Sequence, residues 1–593
     1  MFDKLKPLTP YLRRYWKSLA WGGVSTILYN VIKVLIPLVI GHAVDDMKHG
    51  LTEEKIVHNA LILLLIAALS AVFLYITRQV IIGASREIEF DLRNDLFSNL
   101  ERQSASYYHT HRTGDIMART TNDLNAVRML LGPAIMYSAN TIVFTAAALP
   151  FMYRISPKLT FFAFVPLPMA SILVQYFGAR IHRRFERIQA MFSDISAKAQ
   201  ENFSGARLIR AFAQEEAEIA SFETANREYI KRSLYLVRLM AMLWPTLEFV
   251  LGLSLMITLL VGGHEVVSHN ISVGQFTAFN VYMVQLTWPM IAVGWVVNLF
   301  QRGTASIVRI DELLKQQPDI DDRDVDPTIA VRNQVEEPTA SGPIIGHIEF
   351  RNLTFAYPDA PAVLHDINLR IPAGSSLAIV GPTGSGKSTL VNLIPRLHDA
   401  APGMVLIDGD PIRHYPLAQL RKSIGFVPQE TFLFSETIRQ NIAFGRPDAS
   451  PEQVEEAATT AHISTEILEF PKGFDTEVGE RGLTLSGGQK QRTAIARAII
   501  RDPKILILDD ALASVDTYTE ERILSGLKRV MEGRTTIFIS HRISTARNAD
   551  QIAVLVAGRI VELGTHDELL ARNGYYTGLF EKQRLEEELS TAT

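Results

Sequence analysis

Long apolar runs fill the first half of the chain, and short apolar runs separated by amphipathic stretches fill the second. In the first half six runs reach the roughly 20 residues that a helix needs to cross about 30 Å of hydrocarbon. They are Leu19–Gly41, Val57–Gly83, Pro133–Tyr153, Leu159–Gly178, Ala241–Gly263 and Gly274–Leu299. Two connections between them are long, from about Ala84 to Gly132 and from about Ala179 to Met240. Both are rich in Arg, Glu, Asp and Gln at helical spacing, which predicts that the spans continue as helices beyond the membrane. Each contains a break where a short transverse helix is expected. One lies around HRTGDIMARTTNDL, His111 to Leu124, and the other around ENFSGARLIRAFAQEE, Glu201 to Glu216. Pro37, Pro166, Pro168, Pro245 and Pro289 are placed to kink spans.

The pattern changes at Gln316. Residues 316–346 are acidic, polar and proline-bearing, which predicts a linker. From His347 to about Gln583, apolar strands alternate with amphipathic helices, the signature of an α/β domain with a largely parallel sheet. The expected organisation is therefore an interfacial N-terminal helix (1–18), an all-α six-span domain with long cytoplasmic extensions (19–315), the linker (316–346), the α/β domain (347–583) and a tail (584–593).

Charge orients this arrangement. The N-terminal segment carries Lys4, Lys6, Arg13, Arg14 and Lys17, while the loop from His42 to His58 has only Lys48 and Lys55 against Asp45, Asp46, Glu53 and Glu54. The positive-inside rule then places the N-terminus in the cytoplasm, and an even number of spans returns the C-terminal half there. Arg154 and Lys158, in a short external loop, run against the rule. Residues Met1 to Ser18 fit both an interfacial helix and a simple basic flank. Inside the spans, Lys33 and Glu248 are costly groups and default to functional candidates; their depths disfavour direct pairing. Arg78 is near enough to a span end to snorkel. A net charge of −4 argues against nucleic acid as a partner. The absence of cysteine removes disulfides and thiolate metal sites. The first apolar run is too long for a cleavable signal peptide.

The chemistry concentrates in the second half. Gly381-Pro382-Thr383-Gly384-Ser385-Gly386-Lys387-Ser388-Thr389 follows a short apolar strand and precedes a helical pattern, which is the P-loop arrangement. Its glycines turn backbone N–H groups toward phosphate oxygens, Lys387 would reach the β- and γ-phosphates, and Ser388 would offer a hydroxyl to Mg²⁺. Tyr357, upstream, is an aromatic placed to stack on adenine. Gln429 ends a later strand and offers a carboxamide to Mg²⁺ and the γ-phosphate. LSGGQ, with Ser486, Gly487, Gly488 and Gln489, opens a helix and forms a second anion-facing N-terminus, so two domains sharing each nucleotide are expected. Ile505-Leu-Ile-Leu-Asp509 is an apolar strand ending in an acid that would hold hydrated Mg²⁺. Asp510 follows, then a stretch ending in Asp516, and His541 ends a further strand near the expected γ-phosphate.

In this order and spacing the motifs resemble those of ATP-binding cassette (ABC) exporters, in which a six-span domain is fused ahead of one nucleotide-binding domain. The resemblance covers nearly the whole chain. It implies two half-transporters assembled head to tail in a bacterial inner membrane, in contact with its lipids, as a homodimer or with a homologous partner. ATP and Mg²⁺ would lie between the P-loop of one half and LSGGQ of the other, and hydrolysis would drive export of an amphipathic drug or lipid. The breaks around His111–Leu124 and Glu201–Glu216 look like the family's coupling helices. Asp510 and His541, with Gln429, match its catalytic positions. Two residues depart from the usual pattern: Asp510 replaces the usual Glu, and the loop reads Ala513-Ser514-Val515-Asp516. Both look like one chain of the heterodimeric multidrug exporters, in which one ATP site is weak. A membrane-tethered ATPase that gates a partner is the alternative reading, and ATP turnover without vectorial movement would favour it.

Overall fold

The structure is a computed structural model that describes residues 2–48, 52–327, 329, 344–358, 360–479, 484–512 and 517–591. The chain divides into two compact units. One comprises Met1–Arg102 and His111–Gln316, the other Gln103–Thr110 and Gln317–Thr593.

After a 3-10 turn (Phe2–Leu8) and a short helix (Thr9–Arg14), the helices of the first half are in chain order α1 (Trp16–Lys48), α2 (Glu53–Glu101), α3 (Ala105–Thr110, part of the second unit), α4 (Thr113–Ile155), α5 (Pro157–Phe164), α6 (Leu167–Ser204), α7 (Ala206–Ala211), α8 (Glu215–Val267) and α9 (Val273–Lys315). Among the described residues α1, α2, α4, α8 and α9 are each long and apolar enough to cross a membrane. The remaining predicted span, Leu159–Gly178, is divided between α5 and α6 by a break at Val165 and Pro166, where a proline cannot supply the backbone N–H that continues the ladder. The Ser156 hydroxyl restarts the chain as a helix by accepting the Leu159 N–H at 3.1 Å.

Close contacts fix α9 in this unit. A Cβ at Gly274 would lie 2.0 Å from the Gly41 carbonyl oxygen, so α1 and α9 meet backbone to backbone, as small residues permit in membranes. At that end the Asp45 carboxylate accepts the Gly274 N–H at 2.7 Å and the Ser272 hydroxyl. Further along, the Tyr282 hydroxyl donates to the Val34 carbonyl at 2.7 Å. Toward the other end of α9, Asp123 accepts from Ser306 and from Arg309 Nε, both at 2.8 Å. The basic N-terminal flank is bound rather than free: the Tyr11 hydroxyl donates to Asp95 at 2.6 Å and Arg14 pairs with Asp91 at 2.9 Å, both on the polar continuation of α2. Lys158, which opposes the charge rule, is matched by Glu265 at 3.0 Å.

The first short helix lies ahead of the expected stretch. It is α3, whereas Thr113-Gly114-Asp115 starts α4. Asp115 in the first turn opposes the positive end of the helix dipole and pairs with Arg119 one turn on at 3.0 Å, so the apparent break is an initiation signal. The second is α7, inside the expected stretch, where Gly205 and the left-handed Ala213 (φ 49°) bracket it.

The second unit is built on two sheets. The antiparallel one has the order β2 (Ala362–Ile371), β1 (Ile348–Ala356), β4 (Val405–Ile407), β5 (Asp410–Pro411). The larger has the order β10 (Arg559–Gly564), β9 (Gln551–Val556), β3 (Ser376–Val380), β8 (Thr535–Ile539), β7 (Ile505–Asp509), β6 (Ile424–Val427), parallel except at the β10–β9 edge. Strands β3, β7 and β8 are buried throughout, as central parallel strands covered on both faces must be. One core lies between the sheets, with Phe350, Leu369, Ile379 and Ile507; the other packs Ala378, Leu506 and Phe538 against helices. The described part of the linker is tied to this unit, where Asp322 accepts the Leu417 N–H at 2.8 Å.

Candidate functional site

Three neighbouring parallel strands end side by side, and their ends carry the predicted chemistry. Strand β3 delivers the P-loop, β7 delivers Asp509 and Asp510, and β8 leads to His541. Open α/β sheets bind ligands at this edge.

After β3 the chain turns through Gly381, Gly384 and Gly386, with φ of 150°, 80° and 99°. At Gly381 space is also decisive, because a Cβ would lie 2.0 Å from the Leu555 carbonyl oxygen. Helix α10 (Lys387–Asn392) then begins with Lys387, which is 6% exposed. Its Nζ donates to the carbonyls of Gly381 and Pro382, each at 2.9 Å, and among the described residues it forms no ion pair. Burial pulls this ammonium below its ordinary pKa, and the charges of Asp510 and Asp509 only oppose that effect. The hydroxyl of Ser388 donates to Asp509 at 3.1 Å. Burial drives the Asp509 carboxyl upward, with Asp510 adding to the rise and Ser388 opposing it. Asp510 itself has φ of 49°, a left-handed turn that Asp tolerates, and its N–H donates to the Ile539 carbonyl at 3.2 Å.

These groups line one cavity of about 290 Å³. Thr383, Gly384, Gly386, Lys387, Ser388 and Thr389 form one wall; Gln429, Asp509, Asp510 and His541 form the other. The donor set suits a phosphate ester with a hard cation. It offers a buried ammonium held only by carbonyls, and a hydroxyl, a carboxamide and a carboxylate as oxygen ligands. The Ser385 hydroxyl, in the same loop but outside the cavity lining, is 3% exposed and has no hydrogen-bond partner among the described residues.

Not every predicted residue joins this cavity. Tyr357 donates to or accepts from the Thr389 hydroxyl at 3.0 Å, and its ring meets Phe355 and His398 edge-on at 5.1 and 5.0 Å. It lines a separate polar cavity with Ser106 and Arg396. Ser486 to Gln489 are also absent from the lining of the phosphate cavity. They open α11 (Gly487–Ile499) as a capping box: the Ser486 hydroxyl accepts the Gln489 N–H, and Gln489 Oε1 accepts the Ser486 N–H at 2.9 Å. The turn is held from behind by Glu466, which accepts from Gln489 at 3.0 Å and from Arg492 at 2.5 and 2.9 Å. Burial would raise this carboxyl, but those bonds outweigh it and hold it below its ordinary range. The loop ending in Asp516 lies outside the described residues, as do residues 480–483.

Sequence motifs did not reveal Glu466 or Gln583. Gln583, in α12 (Tyr575–Thr591), donates to the His541 carbonyl and accepts the Ile543 N–H at 2.8 Å, which clamps the His541 turn from 42 residues downstream.

Comparison with known proteins follows the same division. A family described as the ABC transporter transmembrane region matches residues 19–290, and one described as ABC transporter matches residues 364–513. The chain is 36% identical over 588 residues to the probable multidrug resistance ABC transporter ATP-binding/permease protein YheI of Bacillus subtilis, covering 99% of this chain and 98% of that one. It is 35% identical over 593 residues to the multidrug resistance-like ATP-binding protein MdlA of Escherichia coli, covering 99% and 97%. It is 36% identical over 589 residues to the ATP-dependent lipid A-core flippase of Syntrophus aciditrophicus, covering 99% and 96%. Among solved structures, that of a bacterial Atm1-family ABC exporter with ATP bound aligns with a TM-score of 0.74 at 29% identity, covering 97% of this chain and 99% of that chain.

Proposed function

The chain belongs to the ABC transporter family, and from that premise we propose that it is one half of an exporter that couples ATP hydrolysis to outward movement of an amphipathic drug or lipid. One observation carries the reading. The cavity at the strand ends gathers Lys387, Ser388, Gln429, Asp509, Asp510 and His541, while the second phosphate-facing turn, at Ser486, stands apart from it in the same unit. A chain with the two surfaces apart completes its site with a second chain. ABC exporters function as dimers of half-transporters, and this chain's partner is a second copy or a homologous half. α7, flanked by the exposed Phe203 and Phe212, is the segment we assign to docking on the partner half.

Each residue has a role in this scheme. Lys387 gives its charge to the β- and γ-phosphates, a change that also restores the cation against burial. Ser388, Gln429 and Asp509 would hold Mg²⁺, which supplies charge neutralisation between the phosphates. Asp510 orients the attacking water and His541 contacts the γ-phosphate. Tyr357 supports the adenine face from beside Thr389. The protein is a membrane protein; we assign it to a bacterial cytoplasmic membrane, with both termini and the nucleotide unit inside.

The test is reconstitution of the purified chain in liposomes, alone and with a homologous half, measuring ATP turnover and amphiphile movement together. Coupled movement supports the exporter. Turnover with no movement of any amphiphile supports a tethered ATPase that gates a partner.

A further inference from the structure

The membrane unit holds a second cavity, of about 540 Å³, between α1, α2, α4 and α9. Its walls are mostly apolar and aromatic, with Leu74, Met136, Phe144, Trp288 and Trp295 among them. Its charged groups are of one sign. Lys33 and Arg78 line it, and no Asp or Glu does among the described residues.

Among the described residues neither Lys33 nor Arg78 forms an ion pair. Glu248, the other ionisable group inside a predicted span, is exposed elsewhere on α8 and does not line the cavity. Lys33 is half-buried, with its Nζ 5.3 Å from the centre of the Phe144 ring and 5.7 Å from that of Tyr29. Ring faces offset only part of the cost of a cation inside a span. The two cations also sit at different depths. Gly22 meets Ile81 across α1 and α2, which sets the register, and at 1.5 Å per residue Lys33 lies about 12 Å farther along the helix axes than Arg78. Beside Lys33, the Asn30 amide, 2% exposed, donates to Asn140 at 2.9 Å and adds a polar rim at the same level.

The geometry points to a binding site for amphiphiles that carry an anionic headgroup, with Lys33 as the principal headgroup partner, Arg78 as a second station toward the other end of the cavity, and the tryptophan and phenylalanine rings as the seat of the apolar body. The inference rests on the exporter reading and sharpens its substrate class. A neutral amphiphile leaves Lys33 uncompensated. A cationic one meets rings that already face a cation and adds repulsion. Only an anion supplies the missing charge, and in a low-dielectric site a charge-assisted contact is worth about tenfold or more in affinity.

The experiment uses the full chain in nanodiscs of zwitterionic phosphatidylcholine. Decyl sulfonate and decyl trimethylammonium, which share one alkyl chain, are titrated by calorimetry. The sulfonate is expected to bind at least about tenfold more tightly. Lys33→Gln should remove most of that preference, Lys33→Arg should keep it, and Lys33→Glu should reverse it. Equal affinities in the wild type, tighter binding of the ammonium, or a preference unchanged in Lys33→Glu would overturn the site. The wild-type comparison decides the matter even if a variant fails to fold. Discs containing phosphatidylglycerol separate two sources of the anion: loss of sulfonate binding there identifies a membrane lipid as the occupant, and retention identifies a soluble amphiphile. Charge-selective binding without ATP-driven movement would refute export and leave this site standing. ATP-driven movement of both amphiphiles at equal rates would refute this site and leave export standing.

Discussion

Two lysines at the centres of the two units differ in how they are held. Lys387 is clamped by two backbone carbonyls at 2.9 Å, with its direction fixed by a glycine turn that no other residue type would fit at Gly381. Lys33 touches only ring faces, at distances above 5 Å. A fixed cation serves a ligand of constant shape, because preorganised charge costs nothing to arrange when phosphate arrives. A cation among rings tolerates ligands of many shapes that share a charge. On the proposed reading, the nucleotide unit suits one substrate and the membrane unit a class.

The sharpest way to break this contrast is at the fixed cation. Lys387→Ala should lower ATP hydrolysis at this site by about a hundredfold or more, with the yield of membrane-inserted protein unchanged. A fall in insertion of equal size would show that the lysine is structural.

Asp510 tests how finely the nucleotide site is set. Asp is one methylene shorter than Glu, so its carboxylate falls about 1.5 Å short of the place Glu reaches. Its acidity is nearly the same, about 3.9 against about 4.3 in model peptides, so reach is the deficit. Asp510→Glu should raise single-turnover hydrolysis about tenfold, since misplacement of this size carries such penalties. Asp510→Ala should nearly stop a homodimer and change a heterodimer little. A Glu variant no faster than the wild type would mean that Asp510 already positions the water.

A smaller effect is expected at Gln583. Gln583→Ala removes both bonds that Gln583 makes to the His541 turn, and hydrolysis should fall roughly threefold to tenfold with ATP affinity unchanged. An equal loss of affinity would place Gln583 in nucleotide binding instead.

The smallest concerns acid stability. Bonds from Arg351 at 2.7 Å and Arg370 at 2.8 Å hold the Glu349 carboxyl at about 2. A depressed folded-state pKa gives stability that is fully present above the ordinary carboxylate range and lost as pH falls toward 2. Thermal unfolding of Glu349→Gln should therefore trail the wild type by a degree or two near neutrality and converge with it near pH 2. A gap that widens with acid would contradict the sign.

The two units also differed in how legible they were. The phosphate cavity could be read from sequence because each of its walls is a contiguous string, and a glycine turn or a strand-end acid carries its own geometry. Its supports could not: Gln583 reaches His541 only through the path of α12, and Glu466 reaches Gln489 only because α11 packs where it does. In the membrane half, apolar length picked out regions that include five helices long and apolar enough to cross a membrane, and Pro166 marked the break between α5 and α6. Hydrophobicity has no term for what faces what, so the surroundings of Lys33 and the neutralisation of Lys158 by Glu265 emerged only from the structure. The first short helix falls ahead of the expected stretch because Thr113-Gly114-Asp115 reads as a break by composition, whereas Asp115 in the first turn, facing the positive end of the dipole, starts a helix there.

The central claim is that ATP bound at Lys387 drives amphiphile movement through the membrane unit. It is tested most directly by following a fluorescent amphiphile across proteoliposomes that contain this chain as the sole protein, as wild type or as Lys387→Ala. The account predicts ATP-dependent movement by the wild type, and amphiphile binding without movement by the variant. Movement by Lys387→Ala at the wild-type rate would contradict it.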